Sequence, residues 1–240
     1  MGFLSNKKVI GLASLSLLGL FLVVLYFIGS WSLKKSNQQE IINNLTNFSL
    51  SALGDNSSSN LTSRLTDALT QEVITQNTSN PDPSLTREAL INKLTSETLA
   101  NFDPAKIIPV ISTQDLNISS NTSSKAIDNY LNSLQTIISQ GSLSGVNLSD
   151  KTSALPQIVS NYENMISALY KVSVPTNLVE FHSRELSLLL AKLAVYKKIN
   201  DFEQDPLGAI AAIKSNDFLD SEFEILKQDL NNFLTSISYE

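Results

Sequence analysis

The 240-residue sequence predicts an all-α protein, an N-terminal transmembrane helix followed by an elongated multi-helix bundle, and three features carry that expectation. The first is an uncharged run of 23 residues, Val9 to Trp31, of which 17 are hydrophobic. The second is the spacing of apolar residues in the remainder, which recur every three or four positions and do not alternate. The third is the lack of any convincing strand: the one stretch that could be extended, Ile107-Ile108-Pro109-Val110-Ile111, is short and carries a proline.

As a helix, the uncharged run spans about 34 Å, enough to cross a hydrocarbon core of about 30 Å. Tyr26 and Trp31 stand at its C-terminal end, where amphipathic rings favour the headgroup region. The run is longer than the roughly 7–15 apolar residues of a secretory signal, and Ile28 occupies the −3 position before Ser30, where cleavage needs a small residue. The segment therefore reads as an uncleaved signal-anchor. Lys7 and Lys8 precede it, and after Lys34 and Lys35 the next basic residue is Arg64. That asymmetry places residues 1–8 in the cytoplasm and residues 36–240 outside it.

The body reads as helices in succession. Ile41, Ile42, Leu45, Leu50 and Leu53 suit a first helix that continues from the membrane and stops at Gly54. Leu61, Leu65, Leu69 and Val73 step by four along a second, entered after Ser57-Ser58-Ser59. Asp82-Pro83 is a cap followed by proline, opening a third with Leu90, Ile91, Leu94 and Leu99 on one face. Ile127, Tyr130, Leu131, Leu134, Ile137 and Ile138 define a fourth that closes at Gly141. Leu155, Ile158, Val159, Tyr162, Ile166 and Leu169 define a fifth.

Pro175 then restarts the chain into a long sixth helix through Leu178, Phe181, Glu185, Leu189, Lys192 and Tyr196. Asp205-Pro206 repeats the cap-and-proline device for a short helix carrying Ile210 and Ile213. A last helix follows through Phe218, Phe223, Leu226, Leu230, Phe233 and Ile237. Ile107-Ile108-Pro109-Val110-Ile111 is short and interrupted by proline, so it reads as an irregular packed segment, and no sheet is expected. Residues 103–125 read as a long connection between helical layers. Nine of the twelve aromatics after residue 35 lie at or beyond Tyr162, which assigns the best-packed core to the final helices.

Composition excludes several chemistries. Without cysteine there is no disulfide, thiolate zinc site or cysteine nucleophile, and a single histidine excludes a multi-histidine metal site within one chain. Residues 36–240 carry 13 basic and 23 acidic side chains, a net of −10, and the whole chain has only three arginines. That balance argues against nucleic acid and against adhesion of the body to anionic lipid. No G-x-G-x-x-G, P-loop or nucleophile elbow occurs. Eight N-x-[ST] sequons, at Asn44, Asn47, Asn56, Asn60, Asn77, Asn117, Asn121 and Asn147, follow from a chain rich in Asn, Ser and Thr.

His182 is the residue that most invites a chemical story, with Glu185 three positions on and Ser183 adjacent. A histidine and a carboxylate at i, i+3 supply two metal ligands, as in Glu-x-x-His helices. Here the order is reversed and position 179 is Val, so a structural role is expected. Ser183 and His182 diverge by about 100° on a helix and are not aligned for nucleophilic catalysis. The acidic groups Asp201, Glu203 and Asp205, and Asp217, Asp220, Glu222 and Glu224, lack the turn glycine and terminal glutamate of a calcium loop. The expectation is therefore no catalytic, cofactor or metal residue and no cofactor. The expected partners are the membrane, through Val9–Trp31, and a protein of the cell envelope, with no nucleic acid. A second copy of the chain is a further partner, since Ala13, Ser16 and Gly19 let two anchors approach.

Three segments carry a resemblance: Asp128-Asn129-Tyr130-Leu131-Asn132, Val174-Pro175 with His182 opening a leucine-rich helix, and Asp205-Pro206-Leu207. Together they resemble single-anchor, all-helical extracytoplasmic proteins of ultrasmall candidate-phylum bacteria. The resemblance implies a bacterial source and display outside the cytoplasm, and it implies no activity or site. The leading expectation is a membrane-anchored, non-enzymatic helical interaction or scaffold protein in an envelope, pilus or secretion assembly. The alternative is an extracytoplasmic helical bundle that binds or senses a small ligand.

Overall fold

The computed structural model of the protein describes residues 38–53, 61–79, 87–100, 102–141 and 151–237. The expected membrane segment Val9–Trp31 with its flanking lysines lies outside these residues, as do Gly54, the Ser57-Ser58-Ser59 entry and the expected Asp82-Pro83 cap. Among the described residues no helix is long and apolar enough to cross a membrane. The chain divides into two compact units, residues 1–41 and 42–240. The described helices are α1 (38–52), α2 (Leu61–Ser79), α3 (Arg87–Ala100), α4 (Ser124–Gln140), α5 (Lys151–Leu169), α6 (Val179–Asn200) and α7 (Pro206–Ile237). The fold is all-α.

α6 is the axis of the core. Every residue from Glu185 to Val195 is buried, because α6 packs against α7 and α5 along most of its length. A helix enclosed in this way is apolar on nearly every face, and Leu186-Ser187-Leu188-Leu189-Leu190-Ala191 is such a run. Ala191 and Ala194 share one buried cluster with Ala212 of α7, together with Leu188, Val195, Leu219 and Leu226. Leu53 of α1 and Ile107 join the same cluster.

The hydroxyls buried in α1 show how polar residues enter such a core. Its most buried residues are Ile42, Thr46, Ser49 and Leu53, with Leu50 half-buried against the same core. Thr46 Oγ1 donates to the Ile42 carbonyl at 2.7 Å and Ser49 Oγ to the Leu45 carbonyl at 3.2 Å, so neither hydroxyl is left unpaired.

α7 corrects the expectation of two separate helices, since Pro206 to Ile237 is one uninterrupted helix of 32 residues. The polar run Lys214-Ser215-Asn216-Asp217 reads as a break, but it holds no proline or glycine. Ser215 is fully buried and donates to the Ala211 carbonyl at 2.8 Å. Ile210 and Ile213 are 36 % and 52 % exposed. The close approach of α6 favours small residues, so Ala209, Ala211 and Ala212 take the interior.

A second correction concerns the sheet. Ile118–Ser119 (β1) and Val174–Pro175 (β2) pair in parallel, and the Val174 N–H donates to the Asn117 carbonyl at 2.8 Å. Two residues per strand leave no periodicity for a sequence to display. The pairing places Pro175 in β2, and α6 starts only after a 3₁₀ turn at Thr176–Leu178. Ile107, Pro109 and Ile111 are buried in an irregular segment as expected, with Val110 pointing outward.

α7 begins at a buried polar knot. Asp205 caps it, Oδ1 accepting from the Gly208 N–H at 3.1 Å, with Pro206 at the first helical position. The same oxygen accepts from the Thr62 N–H and hydroxyl at 3.0 and 2.6 Å, drawing in the start of α2. Lys198 Nζ, from the last turn of α6, lies 2.7 Å from Oδ2, and both side chains are 2 % exposed. Burial alone would raise the Asp205 carboxyl. Hydrogen bonds from Lys198, Thr62 and Gly208 outweigh it and hold the group below its ordinary value.

Gly208 is required there for space: a Cβ would collide with the Asp205 carboxylate and the Lys198 chain. Gly208→Ala is expected to lower the unfolding free energy by about 2–3 kcal/mol. Urea denaturation of the full chain in detergent measures it, and an unchanged midpoint would mean the ion pair has room to shift.

Candidate functional site

His182 lies in the first turns of α6, and Glu185 follows one turn on at the same face. Both are buried, His182 completely. The Tyr130 hydroxyl, from α4, lies 3.1 Å from His182 Nδ1, and the two rings meet edge to face with centroids 5.7 Å apart. The neighbours cooperate in sequence terms too. Ile127, Tyr130 and Leu134 form the inward stripe of α4, and Ser123 caps that helix by accepting from the Ala126 N–H.

Burial sets the charge of this cluster. It pushes the His182 imidazole down to about 4; the Leu169 carbonyl acts in the opposite sense, yet no acceptor meets Nε2 at hydrogen-bond geometry. It pushes the Glu185 carboxyl up to about 7, and Oε2 has no hydrogen-bond partner. The Tyr130 phenol is raised by burial and then by the charge of Glu185, which keeps it neutral. A buried histidine and carboxyl of this kind resist ionisation because charge loses its solvation in the interior.

This cluster is closed to substrate. Ser183 Oγ donates to the Val179 carbonyl at 2.8 Å and is not directed at His182. The acidic groups also disperse. Asp205 pairs with Lys198, Asp220 reaches Lys192 Nζ at 2.6 Å, and Glu224 meets Lys227 at 3.4 Å. Among the described residues no three acidic or histidine side chains converge as a metal site.

What the cluster does support is the wall of a cleft. Tyr130 also lines a recess of about 380 Å³. Lys125, Asn129 and Ser133 run along its α4 side at intervals of four. Ser119, Asn121 and Ser123 line it as well, with Ser173 and Pro175 of β2, the register partner of Ser119. The lining is polar throughout except for Pro175 and Ala126. Sequence reading missed this recess, because the 125/129/133 stripe has the pattern of a solvent-facing helix surface. Only the β1–β2 pairing, invisible in the sequence, brings a second wall beside it. Two segments of the resemblance do converge here: Asn129 and Tyr130 from one, Pro175 and His182 from the other.

The two buried titrations have opposite signs. Glu185 rises from 4.5 to about 7 on folding, so unfolding releases its proton and stability falls with rising pH across that interval. His182 drops from 6.5 to about 4, so stability rises with pH between those values. Each is worth about 3 kcal/mol, and over pH 4.5 to 6.5 they cancel. Glu185→Gln is expected to unmask the histidine, its unfolding free energy climbing by about 2–3 kcal/mol over that range while the parent stays nearly flat. Urea denaturation at stepped pH reads both, and a flat profile in the variant would contradict the assignment.

Comparison of the chain with models of protein families, with curated proteins and with solved structures returned no match, so the cleft is read from its own chemistry.

Proposed function

We propose that this chain is a membrane-anchored, non-enzymatic helical binding protein that holds a small polar ligand in the cleft beside Tyr130. Val9–Trp31 serves as the anchor and residues 36–240 lie outside the cytoplasm, as in the candidate-phylum proteins the sequence resembles. The observation that carries this reading is the cleft: about 380 Å³ falls within the range of small-molecule sites, and its walls are polar side chains set on a packed bundle. Lys125 and Tyr130 are its only ionisable lining residues; the Tyr130 hydroxyl is engaged with His182 behind the cleft, and no serine of the lining is paired with a base. That favours binding over chemistry.

A protein partner in an envelope, pilus or secretion assembly is the second reading. It is favoured by Phe202, Ile210 and Ile213, which are large, apolar and exposed around the start of α7. Native mass spectrometry of the full chain, taken from membranes in mild detergent, separates the two. A bound small molecule that disappears in Asn129→Leu is the expected result. An unliganded chain that forms a protein adduct through a photocrosslinker at position 213 would favour the second reading and overturn the first.

A further inference from the structure

We infer that the cleft recognises the carboxylate of a small, singly charged molecule, an inference that rests on the ligand-binding reading above. Three side chains of the lining each give one acceptor lone pair to the chain itself. Ser119 Oγ accepts from the Asn121 N–H at 3.2 Å, Asn121 Oδ1 from the Ser123 N–H at 3.0 Å, and Ser123 Oγ from the Ala126 N–H at 3.3 Å. Their hydrogens remain: two hydroxyl donors and the Asn121 amide. The Ala126 N–H at the start of α4 is already occupied by Ser123.

Lys125 forms no ion pair among the described residues, and the Asn129 amide has no side-chain hydrogen bond there. No acidic residue lines the recess. A cleft with one cation and unspent donors on Ser119, Asn121, Ser123 and Asn129, the Ser133 hydrogen being given to the Asn129 carbonyl, thus sits on a body of net charge −10. One ammonium with neutral donors matches a carboxylate, whose two oxygens accept several such bonds. A phosphate dianion would leave a negative charge uncompensated on an already acidic surface.

The test uses the full chain in nanodiscs with three probes: gluconate, its uncharged counterpart sorbitol, and inorganic phosphate. Side-chain amide NMR signals of Asn121 and Asn129 report occupancy. Gluconate at millimolar concentration is expected to shift both signals and sorbitol to shift neither. Lys125→Gln, at an exposed position, is expected to weaken gluconate about fivefold to tenfold with the melting temperature unchanged. Equal shifts from sorbitol, or shifts from phosphate alone, would overturn the carboxylate assignment while leaving a ligand cleft in place. Silence from all three probes overturns the carboxylate inference, and it removes the cleft reading as well if native mass spectrometry also finds no bound small molecule.

Discussion

Lys198 and Asp205 bring together the end of α6, the start of α7 and, through Thr62, the start of α2, in a volume that solvent does not reach. Desolvating two charges costs several kcal/mol each, so such a pair is tolerated only when hydrogen bonds surround it. Here Asp205 is supplied by Thr62, Gly208 and Lys198 at once, and Thr62 Oγ1 in turn accepts from the Leu207 N–H at 3.2 Å. The pair fixes the turn between α6 and α7, and the alanine seam between those helices depends on that turn. With Ala191, Ala194 and Ala212 in one buried cluster, a small change in register would open gaps along the core.

The register of α6 then sets the cleft. His182 and Glu185 can be buried only because α6 is held against α5 and α7, and His182 positions Tyr130 from behind. The His182 imidazole stays neutral above about pH 4 and the Glu185 carboxyl below about pH 7, while Lys125, Asn129 and Ser133 of α4 line the cleft. The acidic surface and the donor-rich recess are therefore features of different layers. One follows from composition, and the other from how β1 and β2 join the 102–123 segment to the α5–α6 turn.

Much of this was legible in the sequence for physical reasons. The α4 stripe of Ile127, Tyr130 and Leu134 and the Asp205-Pro206 cap both obey local rules, and both hold in the structure. Glu185 and His182 were readable as a pair on one face with a structural role. The errors share a cause. Ile210 and Ile213 lost the interior to alanines because close packing between helices, unlike hydrophobicity, is not written in one helix alone. Thr46 and Ser49 were not foreseen in the interior because a back-bonded hydroxyl, which is cheap to bury, reads as polar in sequence. The cleft was hidden because its second wall comes from residues some fifty positions away, paired over only two residues.

The most direct measurement is a double-mutant cycle on the pair, with Lys198→Met, Asp205→Asn and the two combined, by urea denaturation of the full chain. Asn at 205 keeps the oxygen that serves Thr62 and Gly208 and removes only the charge facing Lys198. Each single variant leaves one charge buried alone and is expected to lose about 3–5 kcal/mol, whereas the double variant should be more stable than either. Additive losses, or single variants within about 1 kcal/mol of the parent, would contradict a fold organised around this pair.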